Sequence, residues 1–275
     1  MRSPSTARRP RADNSRKDRK ADMTSLSLDS DLWCRRFHPS PTATRRLVCF
    51  PHAGGSASFY FPVSAALRGP VDLLAVQYPG RQDRREEPAV QDLHRVADDV
   101  AEALRRWDDL PLTLFGHSMG ALVAFEVARR IERAGGRIDH LFVSGRKGPS
   151  VDGPELSHPL DDEGIVAEVR AMSGTDARLL EDEELLRMVL PALRGDYRAL
   201  GAYRADRDAA VTCPVTVVVG DQDPWTPVPE AAHWRDRTTA AFDLKVFPGG
   251  HFYLSSGADE VTAMLRDHLT GTLRT

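Results

Sequence analysis

From Arg45 onward the chain alternates short β-branched runs with longer amphipathic stretches, and this alternation constrains the fold more than any other feature. Leu47 to Phe50, Val71 to Gln77, Leu112 to Phe115, Ile138 to Ser144, Val215 to Val219 and Phe242 to Phe247 read as strands. Phe59 to Leu67, Val90 to Trp107, Ala121 to Ala134 and Asp259 to Leu269 read as helices. Val90, Leu93, Val96, Ala97, Val100 and Leu104 fall on one helical face, and the Ala121 helix stops at Gly135-Gly136 as a C-terminal cap would. Elements in this order pair in parallel through right-handed crossovers. The spacing therefore predicts an α/β fold, a mostly parallel twisted sheet with helices on both faces. Between Gly145 and Ala210 no strand is legible, and Asp162 to Met172 and Glu181 to Tyr203 read as helices instead. An insertion of this kind, at about residues 150–208, is expected to form a helical lid over the carboxyl edge of the sheet. Gly195 within it is expected to loosen its helix by about 1 kcal/mol relative to alanine.

At 275 residues the chain suits one large α/β domain, expected over residues 26–275. A net charge of −3 gives no reason to expect a nucleic-acid or membrane partner, and no apolar run is long enough to span a bilayer. The charge is unevenly spread. Residues 1–25 carry most of their charge as arginine and lysine and hold no large apolar residue between Met1 and Met23, so a disordered basic tail is expected there, with Met23 an alternative start. No apolar core of a secretory signal follows those charges. The three cysteines, Cys34, Cys49 and Cys213, show no paired spacing, which favours a reducing, cytoplasmic setting.

The chemistry concentrates in Gly116-His117-Ser118-Met119-Gly120, a G-x-S-x-G pentapeptide between an apolar strand and an amphipathic helix. That strand–turn–helix setting is what a nucleophile elbow requires. A plain βα turn whose serine caps the helix is the alternative. A serine hydroxyl is a weak nucleophile and needs a base. Of the nine histidines, His251 stands in Pro248-Gly249-Gly250-His251-Phe252 directly after the last strand, whereas His233 and His268 lie in helix-like surroundings. The base needs a carboxylate to fix its tautomer, and Gly220-Asp221-Gln222-Asp223-Pro224 offers two. Asp223 is favoured because it lies past the turn, Asp221 then bracing the turn itself. The oxyanion of acyl transfer needs two backbone donors. The N–H groups of Met119, after the nucleophile, and of Ala53, in Phe50-Pro51-His52-Ala53-Gly54-Gly55, are the candidates, with His52 shaping that loop. Metal and dinucleotide motifs are missing, so no cofactor is expected.

With these residues in place, the chain resembles the type II thioesterases of polyketide synthase and nonribosomal peptide synthetase pathways, members of the α/β-hydrolase superfamily. The resemblance runs from about Trp33 to Leu269 and is carried by the histidine-glycine loop at Phe50, Tyr78-Pro79-Gly80-Arg81, Phe115-Gly116-His117-Ser118-Met119-Gly120-Ala121, Val143-Ser144-Gly145-Arg146, Gly220-Asp221-Gln222-Asp223 and Gly249-Gly250-His251-Phe252-Tyr253. Related domains can carry the acid after the strand that ends at Ser144; no carboxylate stands there, which leaves Asp223. The resemblance implies hydrolysis of acyl groups from the phosphopantetheine arm of acyl or peptidyl carrier proteins, the phosphopantetheine belonging to the substrate; a monomer is expected, although the sequence does not reveal the oligomeric state. Arg81, Arg84, Arg85, Arg146 and Lys147 follow strand ends and are expected to dock an acidic carrier, the alternative being solvated arginines with Arg81 bracing a nearby loop. A fatty-acyl thioesterase or general serine esterase is the enzymatic alternative, and a non-catalytic binding protein on the same scaffold the alternative from another class.

Overall fold

A computed structural model of the chain describes residues 32–149, 161–173, 183–256 and 258–271. The expected basic tail at residues 1–25 and parts of the expected lid, 150–160 and 174–182, lie outside the described residues. The strands are β1 Cys34–Arg35, β2 Arg45–Phe50, β3 Val71–Val76, β4 Leu112–His117, β5 Ile138–Ser144, β6 Val215–Gly220 and β7 Phe242–Phe247. The α-helices are α1 Phe61–Ala66, α2 Leu93–Leu104, α3 Met119–Arg133, α4 Asp162–Ser173, α5 Glu183–Ala202, α6 Val228–Ala231, α7 Tyr253–Ser256 and α8 Ala258–Thr270. They build a seven-stranded sheet in the order β1-β3-β2-β4-β5-β6-β7. Every neighbouring pair is parallel except β1 with β3. At two residues, β1 is too short to leave a periodic signal in the sequence.

Side chains alternate across the sheet, as a period of two requires. Val48, Phe50, Leu112, Leu114, Val215, Val217 and Val219 enter the core under α2 and α3, while Leu47, Cys49, Phe115 and Val218 enter a second core with residues of α8. Because both faces are covered, these strands are apolar throughout rather than amphipathic. The α2 helix starts where Asp92 accepts the His94 and Arg95 amides, three residues later than the hydrophobic pattern alone suggests. Among the described residues no helix is long and apolar enough to cross a membrane. The three cysteines are buried and form no disulfide.

The chain leaves β2 for β3 on one side and reaches β4 on the other. The β2–β4 crevice is therefore the topological switch point, where α/β sheets receive ligands. The helices of the insertion reach this edge. Ile165, Leu193 and Tyr197 form a small apolar cluster against Ala53 of the loop after β2.

Candidate active site

Ser118 joins β4 to α3 with φ 55° and ψ −117°, a conformation that side chains strongly disfavour. The turn holds because both flanking glycines are obligatory. A Cβ on Gly116 would stand 2.1 Å from the Gly120 carbonyl oxygen, and one on Gly120 would stand 2.0 Å from that of Phe50. The Ser118 N–H donates to the Ser144 carbonyl at 2.8 Å, which ties the elbow to the end of β5. Ser118 makes no side-chain cap bond, so the reading of a capping serine does not hold.

The acid and histidine loops follow β6 and β7. The His251 Nδ1 lies 2.8 Å from Asp223 Oδ2, and both side chains are buried. The other carboxylate oxygen of Asp223 accepts the amides of Trp225 and Thr226. Burial pushes this carboxyl up, but the hydrogen bond and charge of His251 and the two amides outweigh it and hold it below its ordinary range. An ionised Asp223 fixes Nδ1 as the protonated ring nitrogen and leaves Nε2 to accept a proton. Nε2 is buried without a hydrogen-bond partner, so no bond joins it to the Ser118 hydroxyl in this structure. The ring nevertheless lies beside the elbow. It stands 5.2 Å, centre to centre, from His117, and its Cε1 is 3.5 Å from where a Cβ on Gly145 would sit. Catalytic hydrogen bonds of a resting site commonly tighten only with substrate bound. Asp221 is exposed, and its Oδ1 accepts the Gly249 N–H at 2.9 Å, bracing the loop that carries His251. Gly220 lets that loop cross β6, since a Cβ there would meet the Gly249 oxygen at 2.3 Å. His233 and His268 are exposed.

The loop after β2 packs on the start of α3, with a Cβ on Gly120 also falling 2.6 Å from the Pro51 oxygen. The loop that holds Ala53 thus leaves β2 beside the turn at which α3 begins with Met119. His52 packs edge-on against Phe59 and Phe252, and burial, followed by the charges of His251 and Arg81, pushes its pKa down to about 3. His117 is likewise driven well down by burial, then by His251 and His52, and its Nδ1 contacts the Ser144 hydroxyl at 2.9 Å. Ser144 in turn bonds the Tyr253 hydroxyl at 2.5 Å.

The docking expectation needs correction at two of its five residues. Arg81 and Arg84 do not face a partner. Arg81 forms a buried bidentate pair with Asp196 of α5, at 2.7 and 2.9 Å. Arg84 lies over the Trp33 ring and donates to Glu87 and to the Gln77 carbonyl. A guanidinium committed to internal acceptors cannot meet an acidic surface, so of the five cations expected to dock only Arg85, Arg146 and Lys147 keep partial or full exposure. Gly195 does not loosen α5 to no purpose. A Cβ there would stand 2.4 Å from the Val90 oxygen, so glycine is what lets the helix approach the body of the molecule. Asp196, Ser144 and Tyr253 escape sequence reasoning. Asp196 does leave a signal, an acid on the stripe Ala192, Leu193, Tyr197 and Leu200 that is otherwise buried and apolar.

The strand order and the strained serine after β4 place the chain among the α/β-hydrolases. The comparisons with known proteins narrow this. The Thioesterase domain family model matches residues 45–269, so the chain belongs to that family and is a thioester hydrolase. It is 50% identical to thioesterase PikA5 of Streptomyces venezuelae over 249 residues, covering 90% of this chain and 89% of that protein. Among solved structures it is similar to the type II thioesterase BorB from the borrelidin biosynthetic cluster, with 47% identity, a TM-score of 0.79 and coverage of 87% of this chain and 98% of BorB. It is also similar to YbtT, a type II thioesterase from the yersiniabactin NRPS/PKS biosynthetic pathway, with 28% identity, a TM-score of 0.77 and coverage of 88% and 100%.

Proposed function

We propose that the chain is a type II editing thioesterase that clears acyl groups from the phosphopantetheine thioesters of carrier proteins in polyketide or nonribosomal peptide biosynthesis. The observation that carries this reading is the buried His251–Asp223 pair, its imidazole packed against His117, the residue before the serine of the strained elbow. The likeness to type II thioesterases of such pathways supports the substrate class.

In this mechanism His251 Nε2 takes the Ser118 proton as the oxygen attacks the thioester carbonyl. The tetrahedral oxyanion accepts hydrogen bonds from the Ala53 and Met119 amides. Collapse expels the thiol, which takes the proton from His251 and leaves an acyl-serine. Water, deprotonated by the same nitrogen, then releases the acid and regenerates the serine. Asp223 stays ionised throughout and stabilises the imidazolium. A thiolate leaves more readily than an alkoxide, so the acid step demands less of His251 than in an oxygen esterase.

The test compares turnover of an acyl-loaded, phosphopantetheinylated carrier domain with that of the matching acyl-coenzyme A and a nitrophenyl ester. A higher kcat/KM on the carrier supports the reading, and equal values on all three would make the chain a general esterase. The wild-type chain should be labelled by a fluorophosphonate and Ser118→Ala should lose labelling together with turnover, whereas a binding protein would show neither in the wild type.

A further inference from the structure

We infer that Asp196 is a positioning residue for the reaction, fixing the oxyanion loop from the inserted helix α5 through a buried ion pair with Arg81; this rests on the proposed role of the Ala53 amide. The loop offers little to hold itself in shape. Ala53, Gly54 and Gly55 have no side chain beyond a single Cβ, and Gly54 adopts φ +74°. One internal bond, from the Gly55 N–H to the His52 carbonyl at 3.0 Å, closes the turn, and the rest of its conformation is set from outside. Asp196, fully buried, does this directly, its Oδ2 accepting the Gly54 N–H at 2.7 Å. The same oxygen accepts Arg81 NH1 at 2.9 Å, and that NH1 also donates to the Gly55 carbonyl at 2.9 Å. One ion pair therefore pins the two peptide groups on either side of the Gly54–Gly55 bond, and the Ala53 N–H takes no part in the network.

Burying an ion pair rarely adds stability over apolar residues of the same volume, so its value has to be sought in the geometry it imposes. Donors at such sites must be held within about 0.5 Å of the productive position. The neighbouring contacts point the same way. A Cβ on Gly54 would sit 2.5 Å from Leu193 Cδ2, and the missing side chain of Gly195 lets α5 close on Val90. From Ala192 onward this helix is mostly buried, whereas Met188 and Val189, before Pro191, are exposed. The buried half of α5 is thus a wall of the oxyanion site rather than only a cover for it.

The experiment uses the full chain with a small acyl-N-acetylcysteamine thioester, a trifluoromethyl ketone analogue and a fluorophosphonate. Asp196→Ala should lower kcat per titrated site about 100-fold with KM changed less than about threefold. It should weaken the ketone and slow phosphonylation in proportion. Asp196→Asn keeps an acceptor for the Gly54 N–H at the same volume, and should recover part of the loss. If Asp196→Ala does not fold, the same readouts on Asp196→Asn decide. Lower melting temperatures with unchanged kcat, ketone affinity and phosphonylation rate would make Asp196 purely structural and overturn the inference. Failure of the wild-type chain to be phosphonylated at Ser118 would instead overturn the proposed mechanism, and this inference with it.

Discussion

Ser118 spends stability to present its hydroxyl. A φ of 55° with ψ −117° costs a residue bearing a Cβ about 1–3 kcal/mol, and glycine almost nothing. Ser118→Gly should therefore be inactive yet at least about 1 kcal/mol more stable than Ser118→Ala, as urea denaturation would show. The ordinary ranking of alanine above glycine would contradict this. The two aspartates after β6 separate at the same scale. Asp223 holds His251 and two amides, whereas Asp221 holds only the Gly249 amide. Asp223→Asn should reduce kcat about 10⁴-fold by favouring the wrong tautomer. Asp221→Asn, which keeps an acceptor for Gly249, should reduce it less than about tenfold. Comparable losses in the two variants would reverse the assignment of the acid.

At the scale of elements, the site is a set of strand ends brought together by close backbone approach. Gly120 lies against the Phe50 carbonyl, Gly220 under the Gly249 carbonyl and Gly195 against the Val90 carbonyl. Each of these contacts joins segments distant in sequence. Gly120→Ala should destabilise the fold by on the order of 3 kcal/mol or more, since the obstacle at 2.0 Å is backbone that cannot rotate away. A thermal melt within a few degrees of wild type would show that α3 can shift off the loop. The elbow is legible in sequence because its glycines and serine are contiguous and framed by a strand and a helix. The role of Gly195 is not legible, because nothing near it in sequence announces the Val90 carbonyl.

Over the whole molecule, buried and surface charge lead to separate predictions. Glu126 of α3 is buried and joins Arg129, Arg130 and Tyr203 to the α2 histidine His94. Burial alone would raise its pKa, but the His94 contact and the two arginines bring it from 4.5 to about 2. A depressed carboxyl of this kind stabilises the fold above its unfolded pKa. The contribution, about 3 kcal/mol by linkage, is lost as pH falls from 4.5 towards 2. Glu126→Gln should therefore lower stability at pH 7 and flatten the stability curve across that window. A curve parallel to wild type would place the acid sensitivity elsewhere. On the surface, Arg85→Glu and Lys147→Glu should raise KM for a carrier-bound acyl group and leave a small thioester unaffected. Equal effects on both substrates would remove docking from these positions.

The pattern of apolar residues determined by itself that the chain would form a parallel sheet with helices on both faces. Periodicity is a local property, and burial on two faces writes it directly into each segment. Contiguous motifs likewise marked Ser118, His251 and the pair Asp221 and Asp223 as the residues to watch. Only the tertiary structure decided that Arg81 turns inward to Asp196 and that an inserted helix walls the loop after β2. The partner of a charged side chain is chosen by which backbone segments approach within a few ångströms, and that is fixed by the packing of the whole sheet.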